Sequence, residues 1–116
     1  MNKYAATGLV LAAAGEHKRV LVLNHNQRAA RDSFENCVAV LAALGNEHFQ
    51  VRRANGAERI THSGGGTIVF RSSLSNLHAH RADVVFLDVG FDLEIRSRLH
   101  EDILAITATG GDIVRA

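Results

Sequence analysis

The fold turns on one stretch: Arg19-Val20-Leu21-Val22-Leu23, then Asn24-His25-Asn26, then Gln27-Arg28-Ala29-Ala30-Arg31-Asp32-Ser33-Phe34. The run after Arg19 is Val and Leu only, with no polar alternation, the pattern of a strand covered on both faces as in a parallel sheet. Asn24 to Asn26 supplies a loop and a helix cap, because an Asn side chain can accept from the free backbone N–H groups of a first helical turn. Beyond it Ala30, Phe34, Cys37, Val38, Leu41 and Leu44 recur at three- and four-residue intervals. That spacing predicts a helix from about Gln27 to Leu44, stopped by Gly45 and Asn46. A buried strand leading into an amphipathic helix predicts a layered α/β sheet.

Upstream, Tyr4 to Ala14 is apolar on most faces and predicts a helix packed on that sheet, closed by Gly15. Lys3 followed by the apolar run from Ala5 to Ala14 superficially resembles a short signal peptide, but the run is far below the ~20 residues that span a bilayer. Downstream, His48 to Arg53, Ala57 to Ser63 and Thr67 to Ser72 read as short extended pieces, with turns at Asn55-Gly56 and Gly64-Gly65-Gly66. They are expected to form an antiparallel insertion whose last two pieces make a hairpin. Leu74 to Arg81 reads as a polar, His-rich loop. Asp83 to Asp88 reads as a second buried parallel strand ending in a carboxylate, Leu93 to Thr107 as a third helix, and Asp112 to Arg115 as a short terminal strand. The expected architecture is a three-layer α/β/α unit, a short mainly parallel sheet with a β-hairpin insertion.

Composition bounds the rest. A chain of 116 residues, 47% apolar and 22% charged, fits one domain over 1–116 with a packed core. Thirteen basic and twelve acidic residues leave a formal charge of +1, so charge alone calls for neither nucleic acid nor membrane. The basic set is lopsided, with eleven Arg and two Lys. The lone Cys37 excludes an intramolecular disulfide and a cysteine-based zinc ribbon; it lies on the apolar stripe of the second helix and reads as core. With one Cys and no anchor, a cytoplasmic setting is expected.

The order of segments carries a resemblance. The Ala-rich helix comes first, then Arg19 to Leu23, then the helix bearing Arg28 to Phe34. Val51-Arg52-Arg53-Ala54-Asn55-Gly56, the Gly-turned hairpin from Ile60 to Phe70, and Val84-Val85-Phe86-Leu87-Asp88 follow. Over roughly residues 3 to 114 this progression resembles the N-terminal ATPase domain of phage terminase large subunits, the motors that package DNA into proheads. The resemblance covers only part of that family's protein, without the nuclease half, and implies a P-loop NTPase-like fold that is incomplete at its P-loop.

That family hydrolyses ATP, and each of its sites has a counterpart to check. A P-loop wraps phosphates with backbone N–H groups and follows them with Lys and Ser/Thr. Where the family has its Lys, this chain offers Asn2-Lys3-Tyr4; Lys3 is either a relic of that residue or an ordinary Lys. The strand and glycine loop that should precede it have no room ahead of Met1, and Tyr4 is a poor substitute for a small hydroxyl ligand. Asp88 matches the family's Walker B Asp, which would hold the Mg²⁺ shell, and reads equally as a strand-terminal cap. The family follows that Asp with a Glu that activates water; here the next residue is Val89, and the loss of a general base costs 10²- to 10⁴-fold. The chain is therefore expected to be inactive as a self-contained ATPase and to need no cofactor.

Other residues carry weaker signals. His78 and His80, two apart beside Asp83, could face one Zn²⁺, but no third ligand follows from the spacing, and a solvated loop is the simpler reading. Gly64-Gly65-Gly66 lacks the following Lys and helix of a phosphate loop. Arg28, Arg31, Arg52, Arg53, Arg59, Arg71 and Arg81 have two readings: scattered surface ion pairs, or, with four or more on one face, a nucleic-acid footprint hidden by the neutral total. In the resembled fold the P-loop strand lies beside the counterpart of Ile113-Val114-Arg115. Without it that strand is an open edge, to be covered by a second copy or by a partner's strand. The leading expectation is thus a non-catalytic, terminase-like protein acting through contact with itself, a packaging-motor component or a host factor. A DNA-binding accessory using the arginines is the first alternative, and an ATPase subunit completed by a partner is the second. No membrane partner is expected; if phage-encoded, the chain would act in the host cytoplasm.

Overall fold

The computed structural model describes residues 3–45, 47–54, 56–72, 82–87 and 112–115. Its elements in chain order are α1 (Lys3–Gly15), β1 (Arg19–Leu23), α2 (Gln27–Leu44), β2 (Phe49–Arg52), β3 (Arg59–His62), β4 (Thr67–Arg71), β5 (Val84–Leu87) and β6 (Asp112–Arg115). The six strands form one sheet in the order β2-β3-β4-β1-β5-β6. Strand β1 pairs parallel with β4 on one side and β5 on the other, and β5 pairs parallel with β6. Strands β2, β3 and β4 form an antiparallel meander. The third helix expected over 93–107 and the loop over 74–81 lie outside the described residues.

Alternation along the strands divides the apolar residues between two faces. Val20, Val22, Ile60, Ile68, Phe70, Val84 and Phe86 meet Ala6, Leu9, Val10 and Ala13 of α1 and Phe34, Cys37 and Leu41 of α2 in one buried cluster. Leu21, Leu23, Val69, Val85 and Leu87 point to the opposite face and are buried too. Burial of both faces of β1, β4 and β5 is what the unbroken Val/Leu runs require.

Helix α2 starts where the chain predicts it. The Asn26 side chain accepts from the Ala29 N–H at 2.7 Å, while Gly45, at φ 95°, donates its N–H to the Leu41 carbonyl at 2.9 Å. Helix α1 ends at Gly15, as expected, and the left-handed residue just past it is His17 at φ 56°, a residue type enriched in this region. Glu16 and Lys18 both donate their N–H groups to the Ala12 carbonyl there. Leu44, expected on the apolar stripe, is 57% exposed, because the last turn of α2 extends past the residues that cover Leu41.

The antiparallel hairpin of β3 and β4 forms as expected, and it is continuous with the parallel half of the sheet: β4 runs in parallel register with the whole of β1, from Arg19 opposite Thr67 to Leu23 opposite Arg71. Ile68, Val69 and Phe70 are all buried, which is possible only for a strand inside the sheet.

Asp83 ties the amino ends of β1 and β5 together. Its Oδ2 accepts from the Arg19 backbone N–H at 2.9 Å and from Arg19 Nε at 3.3 Å, and its own N–H donates to the Arg19 carbonyl. The Arg19 side-chain hydrogen bond, followed by the backbone one, holds the Asp83 carboxyl below its ordinary pKa. A depressed carboxyl stabilises the fold above the unfolded value of about 3.9 and loses that contribution as pH falls through the folded value. Asp83→Asn is therefore expected to lower Tm by a few degrees at pH 7. An exposed pair is worth at most about 1 kcal/mol, or roughly 4–8 °C in a chain of this size. Thermal melts across pH should show the gap between variant and wild type closing below about pH 4.

Candidate functional site

In open α/β sheets ligands sit beyond the carboxyl ends of the parallel strands, and here those ends carry a buried polar network. Asn24, just after β1, donates its N–H to the Arg71 carbonyl at 2.9 Å, and its Oδ1 accepts from Ser33 Oγ of α2 at 2.9 Å. Gln27, the first residue of α2, accepts from Ser72 Oγ at 3.2 Å and donates through Nε2 to Glu58 Oε2 at 2.8 Å. Glu58 is fully buried, with Arg31 Nη1 at 3.9 Å. The first turn of α2 contains no acidic residue of its own, so Glu58 brings negative charge to the helix end whose dipole favours it. Asn24 Nδ2 and Glu58 Oε1 remain buried without a hydrogen-bond partner.

None of Asn24, Gln27, Ser33, Glu58 and Ser72 is a candidate in the sequence. Glu58 follows a Gly turn within one of the extended pieces, and its partner Gln27 lies 31 residues away in the chain, so no short-range signal joins the two.

The seven arginine candidates separate. Arg81 lies outside the described residues, as do Asp88, Val89, His78 and His80. Arg28 is exposed on the first turn of α2. Arg31 and Arg53 turn to the helix side: both pair with Glu35, Arg31 also donates to the Arg53 carbonyl at 3.0 Å, and their guanidinium carbons lie 5.3 and 5.6 Å from the centre of the Phe34 ring. These two are structural ion-pair residues. Arg52 and Arg59 are exposed and directly opposite one another across β2 and β3. Arg71 follows on β4, two residues past Val69, the partner of Arg59. Its guanidinium is held below its ordinary pKa by burial first, then by repulsion from Arg59 and Arg52, with Glu58 opposing. Gln50, Val51, Arg52, Arg59 and Thr61 line a shallow hollow of about 470 Å³.

Lys3 opens α1. Cys37 is a core residue, as its place on the stripe predicts, and burial pushes its thiol up to about 12. Ile113, Val114 and Arg115 form β6 opposite Val85, Phe86 and Leu87, at the margin of the sheet.

Among the described residues no group of three or more His, Cys, Asp or Glu side chains is placed to hold a metal. His17, His48 and His62 do gather around the Gly64 turn, with ring centres 6.0 and 6.2 Å from that of His62. His62 Nδ1 accepts from the Gly64 N–H at 3.0 Å, which places the ring proton of the neutral form on Nε2 and leaves that nitrogen no lone pair for a metal.

No family model and no curated protein matches the sequence. A solved structure does match in three dimensions: the large terminase of a thermophilic bacteriophage, in complex with ADP, at 17% identity and a TM-score of 0.60. The match covers 96% of this chain and 29% of that one. Likeness at this identity speaks for architecture alone: the sheet and its two described helices share the α/β fold of the matched part of that structure.

Proposed function

We propose that the chain is a packaging-related, terminase-like protein that works by protein contact and does not itself turn over ATP. The fold likeness to a large terminase supports the setting. That terminase was solved with ADP; in this chain the buried strand Val84–Leu87 runs into Asp88-Val89, and valine has no group to accept a proton from water. The observation that carries the contact reading is the position of β6. It is the outermost parallel strand, and among the described strands nothing pairs with its far side. An open parallel edge presents a row of N–H and C=O groups to any strand that can align with it. A second copy related by a two-fold axis supplies one at no cost in sequence.

Light scattering on the full chain over a concentration series, with thermal melts in the presence and absence of Mg-ATP, tests this. The expected result is a mass rising to twice 12.5 kDa and a Tm unmoved by nucleotide. A constant monomer mass together with a Tm raised by Mg-ATP would overturn it in favour of a working nucleotide site, with Lys3 and Asp88 as its first candidates.

A further inference from the structure

Helix α1 has no charged residue after Lys3, yet only one side of it is covered. Ala6, Leu9, Val10 and Ala13 pack into the core, while Tyr4, Gly8, Leu11 and Gly15 are all exposed. Steps of four, three and four residues put these last four on one stripe, along the side away from the sheet. Tyr4 is 77% exposed and Leu11 55%; with Leu44 they are three of the four large apolar side chains exposed among the described residues. Beside the stripe lies a hollow of about 330 Å³, between Thr7 of α1 and Asn36, Ala39, Val40, Ala43 and Leu44 of α2, with no charged residue in its lining. A helix that is apolar on both sides is normally buried on both, and a continuous uncharged surface of this kind marks a contact site.

We propose that this stripe joins two copies of the chain, their α1 helices lying antiparallel across a two-fold axis. The proposal rests on the contact reading above, names the partner as a second copy, and uses a surface other than β6. The order of side chains along the stripe selects that occupant. Tyr4, Gly8, Leu11 and Gly15 alternate large and small, so reversing the order turns every large position onto a small one. An antiparallel copy therefore sets Tyr4 against Gly15 of the second copy, and Leu11 against Gly8 of the second copy. The two-fold axis repeats both contacts. A Cβ added at Gly8 or Gly15 would meet nothing within 4 Å, so each glycine is an open notch that a large side chain from the facing helix fills. A parallel copy would set Tyr4 on Tyr4 and leave glycine facing glycine, which packs neither. Charge favours the same orientation. Lys3 opens α1 and Glu16 follows its last residue, so antiparallel pairing brings these two residues together at both ends of the contact. Glu16 is 61% exposed even in its contact with Lys18. Between those ends no charge has to be buried.

Cross-linking in a defined register tests it on the full chain. Tyr4→Cys and Gly15→Cys are prepared separately, with the native Cys37 buried in the core, and treated with a short bis-maleimide alone and as a mixture. In the antiparallel pair two copies of the same variant hold their new thiols about 16 Å apart, the rise of the helix between the two positions, beyond the reach of the reagent. Covalent dimer is therefore expected from the mixture and from neither variant alone. Leu11→Glu, which forces a carboxylate into the uncharged contact, should weaken self-association about tenfold or more in light scattering over a concentration series. Gly8→Leu fills the notch and should weaken it as well, whereas adding Leu11→Ala to Gly8→Leu exchanges the large and small positions and should restore it. Equal cross-linking of a single variant and the mixture overturns the proposal, as does wild-type self-association in Leu11→Glu. A doubled mass with no cross-link in the mixture overturns it and leaves β6 as the self-contact. A monomer at every concentration overturns it too.

Discussion

Phe34→Ala is expected to cost about 4 kcal/mol, near the upper end of what large-to-small changes remove from a core. Phe34 is fully buried and meets Phe70 edge-to-face, with ring centres 5.5 Å apart and planes at 82°. That pair joins α2 to β4, the strand that couples the antiparallel wing to the parallel half of the sheet. Truncation removes the aromatic contact and leaves a cavity between elements that are each fixed by other contacts. It also strips the surface over which Arg31 and Arg53 lie, loosening the ion pairs of both with Glu35. A domain of this size is stable by only about 5–15 kcal/mol, so the variant should unfold at a much lower urea concentration with little change in m-value. Phe34→Leu, which keeps most of the volume, should lose less than half as much. A urea midpoint for Phe34→Ala within experimental scatter of wild type would mean that α2 is not held to the sheet through this residue.

The contrast between Phe34 and Leu44 shows where one-dimensional reading stops. Both fall on the same three-and-four spacing of α2, yet Phe34 is fully buried and Leu44 is 57% exposed. Periodicity identifies a face; how far the partner sheet extends beneath it depends on other elements. The limits of β1, α2 and β6 are legible because each rests on local chemistry: an unbroken apolar run, a cap and a glycine stop. The place of β4 in the sheet is not local. Its residues advertise a hairpin with β3, which exists, but its parallel partner β1 lies more than forty residues earlier, and no short-range signal announces that pairing.

The arginines illustrate the same limit at the level of the site. Counting them raises the question of a footprint, but adjacent Arg52 and Arg53 part ways, Arg52 at the end of β2 to open solvent and Arg53 just past it to Glu35 and Phe34. Of the acids that neutralise the helix-side pair, only Glu35, four residues along from Arg31, is suggested by sequence. Glu58 reaches Arg31 through the fold alone. What distinguishes a structural arginine from a surface one here is whether a carboxylate shares its face, and that is settled by register.

Gly66→Ala should be the most damaging of the small substitutions, at about 3 kcal/mol, because the atom it strikes cannot yield. A Cβ on Gly66 would overlap the Ala13 carbonyl oxygen and lie 2.7 Å from the carbonyl carbon, both backbone atoms of the last turn of α1. Gly66 also accepts the His62 N–H at 2.8 Å, closing the β3–β4 turn, so the turn cannot swing away without breaking its own closure. Relief therefore requires α1 to lift from the sheet, taking Val10 and Ala13 out of the core. Gly8→Ala provides the opposite case on the same helix. Its Cβ meets nothing within 4 Å, and an alanine in a helix interior is worth about 1 kcal/mol over glycine. Thermal melts should thus move in opposite directions, down by about 10 °C or more for Gly66→Ala and up by roughly 4–8 °C for Gly8→Ala. Since both exchanges add the same methyl group, the difference in sign isolates close backbone approach as the cause. A Gly66→Ala melt that matches wild type would show that the α1 terminus is not seated on the turn.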